Sequence, residues 1–460
     1  MLIIRCNTNH PKERQYIYDV VFKDFWNLDY HIIYEKRKNL AIECNNTTIL
    51  LSDVFFQFDE LLWLNPRTLP VQPLNCVNVE DPFLNAVVDI KLPIIYGDKN
   101  NKECIFDKRN KYCFIDIFGS AFFMLTRYEE VVKKDRDLYD RFPARASLAY
   151  QEKFLERPII NEYLEILWIL LKSHFPNINR RKRNFKIMPT HDVDNPFWSL
   201  TLHGFPKYRS LLGDIVKRHN PALLLRNLRL YRDAAFGNFT HDPYNTFDTI
   251  MDISECNGLV SSFYFMTSQN RNIKDGNYDV LSRPIIDLAQ KIIKRGHYIG
   301  IHPGFGSYKE MSWIQDDVNR LHKMILQGNL LICRFGGRQH FLLWKAPETW
   351  QYYEQAGLSY DTTLSYADHI GFRCGICYDY PVYNIITHEQ YKLREYPLEV
   401  MECSGLDERY MGLTHDAMKE RCIAIKRMCQ KYRGIFVILW HNTRFLDRLE
   451  VKLYNEILET

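Results

Sequence analysis

From residue 185 onward, short apolar runs alternate with amphipathic stretches of helical period, and this rhythm limits the chain to repeated β/α units around a largely parallel sheet. The runs predicted as strands are 185–190, 259–267, 298–301, 331–335, 393–400 and 435–440. Between them, 284–294 reads as a helix with Pro284 in its first turn, and 311–326 places Met311, Ile314, Val318, Leu321 and Ile325 on one face. In such architectures the loops at the carboxyl ends of the strands converge on a common crevice, where ligands bind. Polar residues that follow directly on the runs are therefore the first candidates for chemistry. They are Asp192 and Asp194 after the first run, His302 after the third, Arg338 and His340 after the fourth, and His441 after the last.

The preceding residues have a different pattern. Alternating stretches at 30–34, 40–43 and 48–51 read as strands, and helical faces follow at 117–132 and, after Pro158, at 159–171. A chain of 460 residues exceeds the roughly 100–200 residues of one ordinary core. The polar, basic segment 177–184 separates the two patterns, so the expectation is a smaller mixed α/β domain over 1–183 and a (β/α) domain over 184–460. The run Arg180, Arg181, Lys182 and Arg183 reads as a solvated linker. A net charge of +4, with no basic stripe interleaved with aromatics, gives no reason to expect nucleic acid. No stretch approaches the ~18 apolar residues of a membrane span. Residues 1–7 lack the pattern of a signal peptide, so a cytoplasmic location with twelve reduced cysteines is expected. Cys374 and Cys377 have the spacing of a zinc or redox pair, but no second pair accompanies them.

Thr190-His191-Asp192-Val193-Asp194 sets two carboxylates and an imidazole at the end of a buried strand, where unpaired charge is costly. Two carboxylates so placed can divide their work: one holds a divalent cation while the other accepts a proton from water. By residue type alone the cluster also fits an acidic loop or a helix cap. His302, which closes Gly296-His-Tyr-Ile-Gly-Ile-His302, adds the side chain that most often ligates metals. His297 in the same run reads as a structural histidine.

Over about 185–445, the order of these pieces resembles the NodB-type polysaccharide deacetylases, carbohydrate esterase family 4. Residues 190–194 are similar to the family's Thr-Phe-Asp-Asp motif with one inserted position, and Ser262-Phe-Tyr-Phe265 to its Ala-Thr-Phe-Phe strand. Residues 296–302 begin as its second motif does, but Gly306 stands where that motif has its second metal-binding histidine. Phe335-Gly-Gly-Arg338 resembles the arginine motif, 356–364 the Gly-x-x-Tyr-Asp-Ser-Ser segment, and Val437-Ile-Leu-Trp-His441 the Leu-x-x-His motif. The Thr-His-Asp-Val-Asp form is also similar to a branch encoded with surface-polysaccharide biosynthesis genes, in which a distinct N-terminal domain precedes the barrel. Residues 118–130 and 141–147 look like its recurrent segments.

The resemblance implies a distorted, TIM-like (β/α) barrel of the polysaccharide deacetylase type. It further implies Asp192 as catalytic base, Arg338 as the group that orients it, His441 as general acid, and Asp194 and His302 as ligands of a divalent metal, expected to be zinc. Catalytic zinc normally takes three protein ligands. His340, two residues past Arg338 on the same side of an extended segment, is the expected third, whereas His191 alternates away from Asp192 and Asp194. The implied reaction is removal of an N-acetyl group from a sugar, oligosaccharide or lipid-linked glycan. Two other readings stay open: a catalytically inactive glycan-binding or assembly protein, and a hydrolase of another C–N bond. Trp344, Trp350 and Trp440 would stack on sugar rings if exposed, although tryptophan ordinarily belongs to the core.

Overall fold

Strand β1 (Leu2–Cys6) turns Leu2, Ile4 and Cys6 inward in the two-residue alternation of a half-buried strand. The computed structural model describes residues 1–79, 84, 87–89, 91–98, 105–107, 109, 111–202, 204–269, 271–332 and 334–459. With β2 (Tyr30–Tyr34), β3 (Leu40–Cys44), β4 (Thr47–Leu51), β7 (Phe106–Asp107) and β8 (Tyr112–Cys113), β1 forms a mixed sheet in the order β2-β1-β3-β4-β8-β7. A separate hairpin joins β5 (Asn75–Asn78) to β6 (Lys91–Ile94). The helix expected over 117–132 is two helices, Ile117–Leu125 and Tyr128–Val132. Between them Arg127 sits at φ 55°, and its guanidinium reaches Glu130, Glu129 and the carbonyl of Arg373. A continuous helix would not turn that fully buried charge into these partners.

The second sheet runs through β9 (Lys186–Val193), β10 (Ser262–Met266), β11 (Tyr298–His302), β12 (Gly336–Gly337), β13 (Tyr360–Asp361), β14 (Tyr380–Asn384), β15 (Glu389–Glu395), β16 (Val400–Met401) and β17 (Ile435–Leu439). Its order is β14-β15-β13-β12-β11-β10-β9-β17-β16, parallel except for β14 against β15. The strand expected over 331–335 is instead β12. Leu331, 86% exposed, lies outside any strand, while a Cβ on Gly336 or Gly337 would run into the carbonyl oxygens of Tyr360 or Ile301. The run expected over 393–400 divides into β15 and β16, which lie seven strand positions apart in the sheet. Laid flat, that separation would be about 34 Å. The five residue steps from Glu395 to Val400 span at most about 18 Å, so the sheet must curl back on itself. Side chains from distant strands accordingly share one concave core: Tyr264, Tyr360, Met401, Val437 and Leu439.

Polar contacts tie helices of the N-terminal region to the second sheet and its loops. Arg373 clamps Glu130 by donating from Nε and Nη2 to its two carboxylate oxygens, at 2.9 and 2.6 Å, and Arg394 on β15 donates to both oxygens of Asp24. A single hydrophobic cluster extends from Leu2 to Leu458. The basic run is solvated in part: Arg181 and Lys182 are exposed, with Arg181 donating to the Asp24 carbonyl, whereas Arg180 pairs with Glu165 over the Trp168 ring and Arg183 lies 4.2 Å over Tyr378. Aromatic faces and carboxylates from elsewhere in the chain meet the charges of Arg180 and Arg183. Cys374 and Cys377 are buried free thiols. No helix among the described residues is long and apolar enough to cross a membrane.

Candidate functional site

The carboxyl ends of β9, β11, β12, β16 and β17 meet at one crevice. Along β9 the period of two puts Thr190, Asp192 and Asp194 on one face and His191 and Val193 on the other. His191 is consumed by structure: its Nδ1 donates to the Trp440 carbonyl at 2.7 Å, and Nε2 lies 3.2 Å from Ser261 Oγ. Burial pushes its pKa down to about 3, so it is a neutral core residue. On the other face, Arg338 follows β12 with no exposed surface and donates to Asp192 Oδ1, Thr190 Oγ1 and the Thr362 carbonyl, each at 2.9 Å. Three nitrogens of one planar group thus fix the direction of Asp192.

Asp194, His302 and His340 bring one ligand atom each to within 4.8 Å of one another. His302 Nδ1 lies 2.7 Å from the Arg338 carbonyl; since a carbonyl only accepts, Nδ1 carries the proton and Nε2 presents its lone pair. His340 Nδ1 likewise donates to Asp275 Oδ1 at 3.1 Å, freeing Nε2. These free nitrogens stand 3.2 and 3.8 Å from Asp194 Oδ1. Bonds of about 2.0–2.1 Å at tetrahedral angles give donor separations near 3.3 Å. Both Asp194 Oδ1 and His302 Nε2 are buried without a hydrogen-bond partner among the described residues, a cost that a bound cation would remove. The set of one carboxylate and two imidazoles therefore fits zinc or a similar divalent metal.

Across the crevice, His441 follows β17. Its Nδ1 bonds the Glu402 carboxylate at the end of the adjacent β16, and its Nε2 faces Asp194 Oδ2 at 3.7 Å. Burial disfavours the imidazolium, yet Glu402 outweighs it and raises His441 well above 6.5. Glu402 and Asp275 are the partners that sequence reading missed. Glu402 directly follows a strand, as the other site residues do, and the same rule could have found it. Asp275 sits nine residues past β10, and nothing in its neighbourhood marks it. Gly306 at φ 90° opens a short turn, and Trp344, Trp350 and Trp440 are all buried.

Fold and site together define an α/β protein with a carboxylate–histidine centre at the carboxyl ends of parallel strands. Among known proteins, the model of a family of unknown function, DUF7033, matches residues 2–176. A comparison with curated proteins gives no match. Solved structures similar to this chain include a Mycobacterium smegmatis protein described as a polysaccharide deacetylase, with 14% identity, 60% of this chain and 83% of that one covered, and a TM-score of 0.39. PuuE allantoinase gives 10% identity, the same coverages and a TM-score of 0.35.

Proposed function

We propose that this chain is a metal-dependent hydrolase that removes an N-acetyl group from a sugar, oligosaccharide or lipid-linked glycan, with residues 184–460 as a distorted (β/α) barrel of the polysaccharide deacetylase type and 1–183 as a second domain. The observation that carries the reading is the convergence of Asp194, His302 and His340 beside an arginine-clamped Asp192 and a Glu402-paired His441. Binding a sugar requires neither a poised base nor a poised acid; cleaving an amide requires both.

A divalent cation, with zinc the expected one, would supply Lewis-acid polarisation of the acetamide carbonyl and make water more acidic. Asp194, His302 and His340 would hold it. Asp192, aimed by Arg338, accepts the proton of the attacking water as the water oxygen bonds to the acyl carbon. His441, kept protonated by Glu402, delivers a proton from Nε2 to the sugar nitrogen as the C–N bond breaks. Acetate and a free amino sugar leave, and one water is consumed.

The test is metal content per chain in protein purified without chelator, for wild type, Asp194→Ala and His340→Ala, followed by acetate release from N-acetylglucosamine oligomers. Near-stoichiometric metal in wild type alone, with acetate release, supports the reading; protein that takes up no added zinc or cobalt overturns it.

A further inference from the structure

The third ligand stands on a strained backbone. His340 is followed by Phe341 and Leu342 at φ 62° and 52°, two successive non-glycine residues in the left-handed region that L side chains avoid. Such a turn persists where its surroundings over-determine it, and here much of that support comes from 200 residues earlier in the chain. Arg141 donates from Nη1 to the Phe341 carbonyl at 3.1 Å, from Nε to Asp137 Oδ2 at 2.8 Å and from Nη2 to the Tyr410 hydroxyl at 3.3 Å. The Tyr139 ring meets Phe341 at 5.4 Å between centroids, and Phe305 closes the other side at the same distance. Phe341 in turn lies edge-on to the His340 imidazole at 4.7 Å. The bracing segment is itself pinned, since the Tyr308 hydroxyl donates to Asp140 Oδ2 at 2.6 Å and Ala144 N to Asp368 Oδ1 at 3.2 Å.

We propose that residues 137–141 of the N-terminal region are part of the metal centre, with Arg141 a positioning residue that holds His340 toward Asp194 through the Phe341 carbonyl and so sets the affinity for a divalent cation. The inference rests on the metal site proposed above and adds a role for the N-terminal region. Asp275 fixes the proton on His340 Nδ1 but leaves the backbone beneath the ring unconstrained; Arg141 and Tyr139 constrain it. Where Gly306 offers no ligand, the donor that replaces it comes from a turn that the second sheet does not brace alone.

The experiment is a zinc titration of the full chain against a chromophoric chelator, with cobalt(II) absorption as a readout of coordination and circular dichroism as a readout of fold. The proteins are wild type, His340→Ala, Arg141→Lys and Tyr139→Ala. Lysine keeps a charge beside Asp137 but cannot place three nitrogens on three partners. Arg141→Lys is expected to stay folded, lose about 10–100-fold in zinc affinity, as loss of outer supports of metal ligands does, and show altered cobalt bands. Folded Arg141→Lys with affinity within twofold of wild type overturns this inference while leaving the metal site standing. Should that variant not fold, Tyr139→Ala decides in its place, since it removes only the ring: weakened binding supports the proposal and unchanged binding overturns it. Wild type that binds no zinc overturns the metal-site reading itself.

Discussion

Asp192 and Asp194 are two residues apart on one strand face, yet their surroundings separate their tasks. Arg338 takes an oxygen of Asp192, while Asp194 faces three imidazoles and no arginine. Asp192→Asn is therefore expected to retain zinc and lower acetate release by about 10²–10⁴-fold; near-normal turnover of the metal-loaded variant would remove Asp192 as the base. His441 makes a pH prediction. An acid must be protonated to act, so the rate falls as pH rises through the His441 pKa, which Glu402 holds above 6.5. Glu402→Gln removes that negative charge and should move the alkaline limb of the kcat profile to lower pH. A limb that stays in place assigns the proton donor elsewhere. At this scale Asp192, Asp194, His302, Arg338, His340 and His441 could be picked out because each follows an apolar run. Asp275 could not, because it reaches His340 from a loop whose path is set only by the fold.

Strand β12 is two glycines with no side chains to alternate, so no periodicity announces it, and the apolar run just before it drew the expectation instead. Its lack of Cβ atoms is what lets it pass between β11 and β13 and carry Arg338 to the crevice. Gly337→Ala would drive a methyl into the Ile301 carbonyl, one residue before His302. It should cost about 2–3 kcal/mol, seen as a lower thermal midpoint, and should weaken zinc retention as β11 shifts. Unchanged stability and zinc affinity would mean that β12 does not set the spacing between His302 and Arg338. The strand β17 was legible because its apolar residues are contiguous, as a strand covered on both faces requires.

Across the whole molecule, the N-terminal region and the rest of the chain are held together by charge as well as by apolar packing. Burial opposes ionisation of Glu130, but Arg373 and Arg127 outweigh it and bring its pKa from 4.5 to about 2. A depressed carboxyl pKa contributes stability that is fully present above pH 4.5 and is lost as pH falls through about 2. The shift corresponds to about 3 kcal/mol. Glu130→Gln should therefore lower the urea midpoint at pH 7, and the deficit against wild type should shrink between pH 4.5 and 2. A deficit independent of pH would show that shape rather than charge joins the regions there.

The apolar rhythm after residue 185 determined a parallel α/β organisation and placed six polar residues at strand ends, because burial and backbone pairing act on neighbours in sequence. Contacts across long separations decided the rest: the passage of 393–400 from β15 to the far edge strand β16 that curls the sheet, the pairing of Glu402 with His441, the hold of Asp275 on His340, and the reach of Arg141 to Phe341. Each of these joins residues brought near one another only by the packed fold, and a periodicity read along the chain carries no information about that distance.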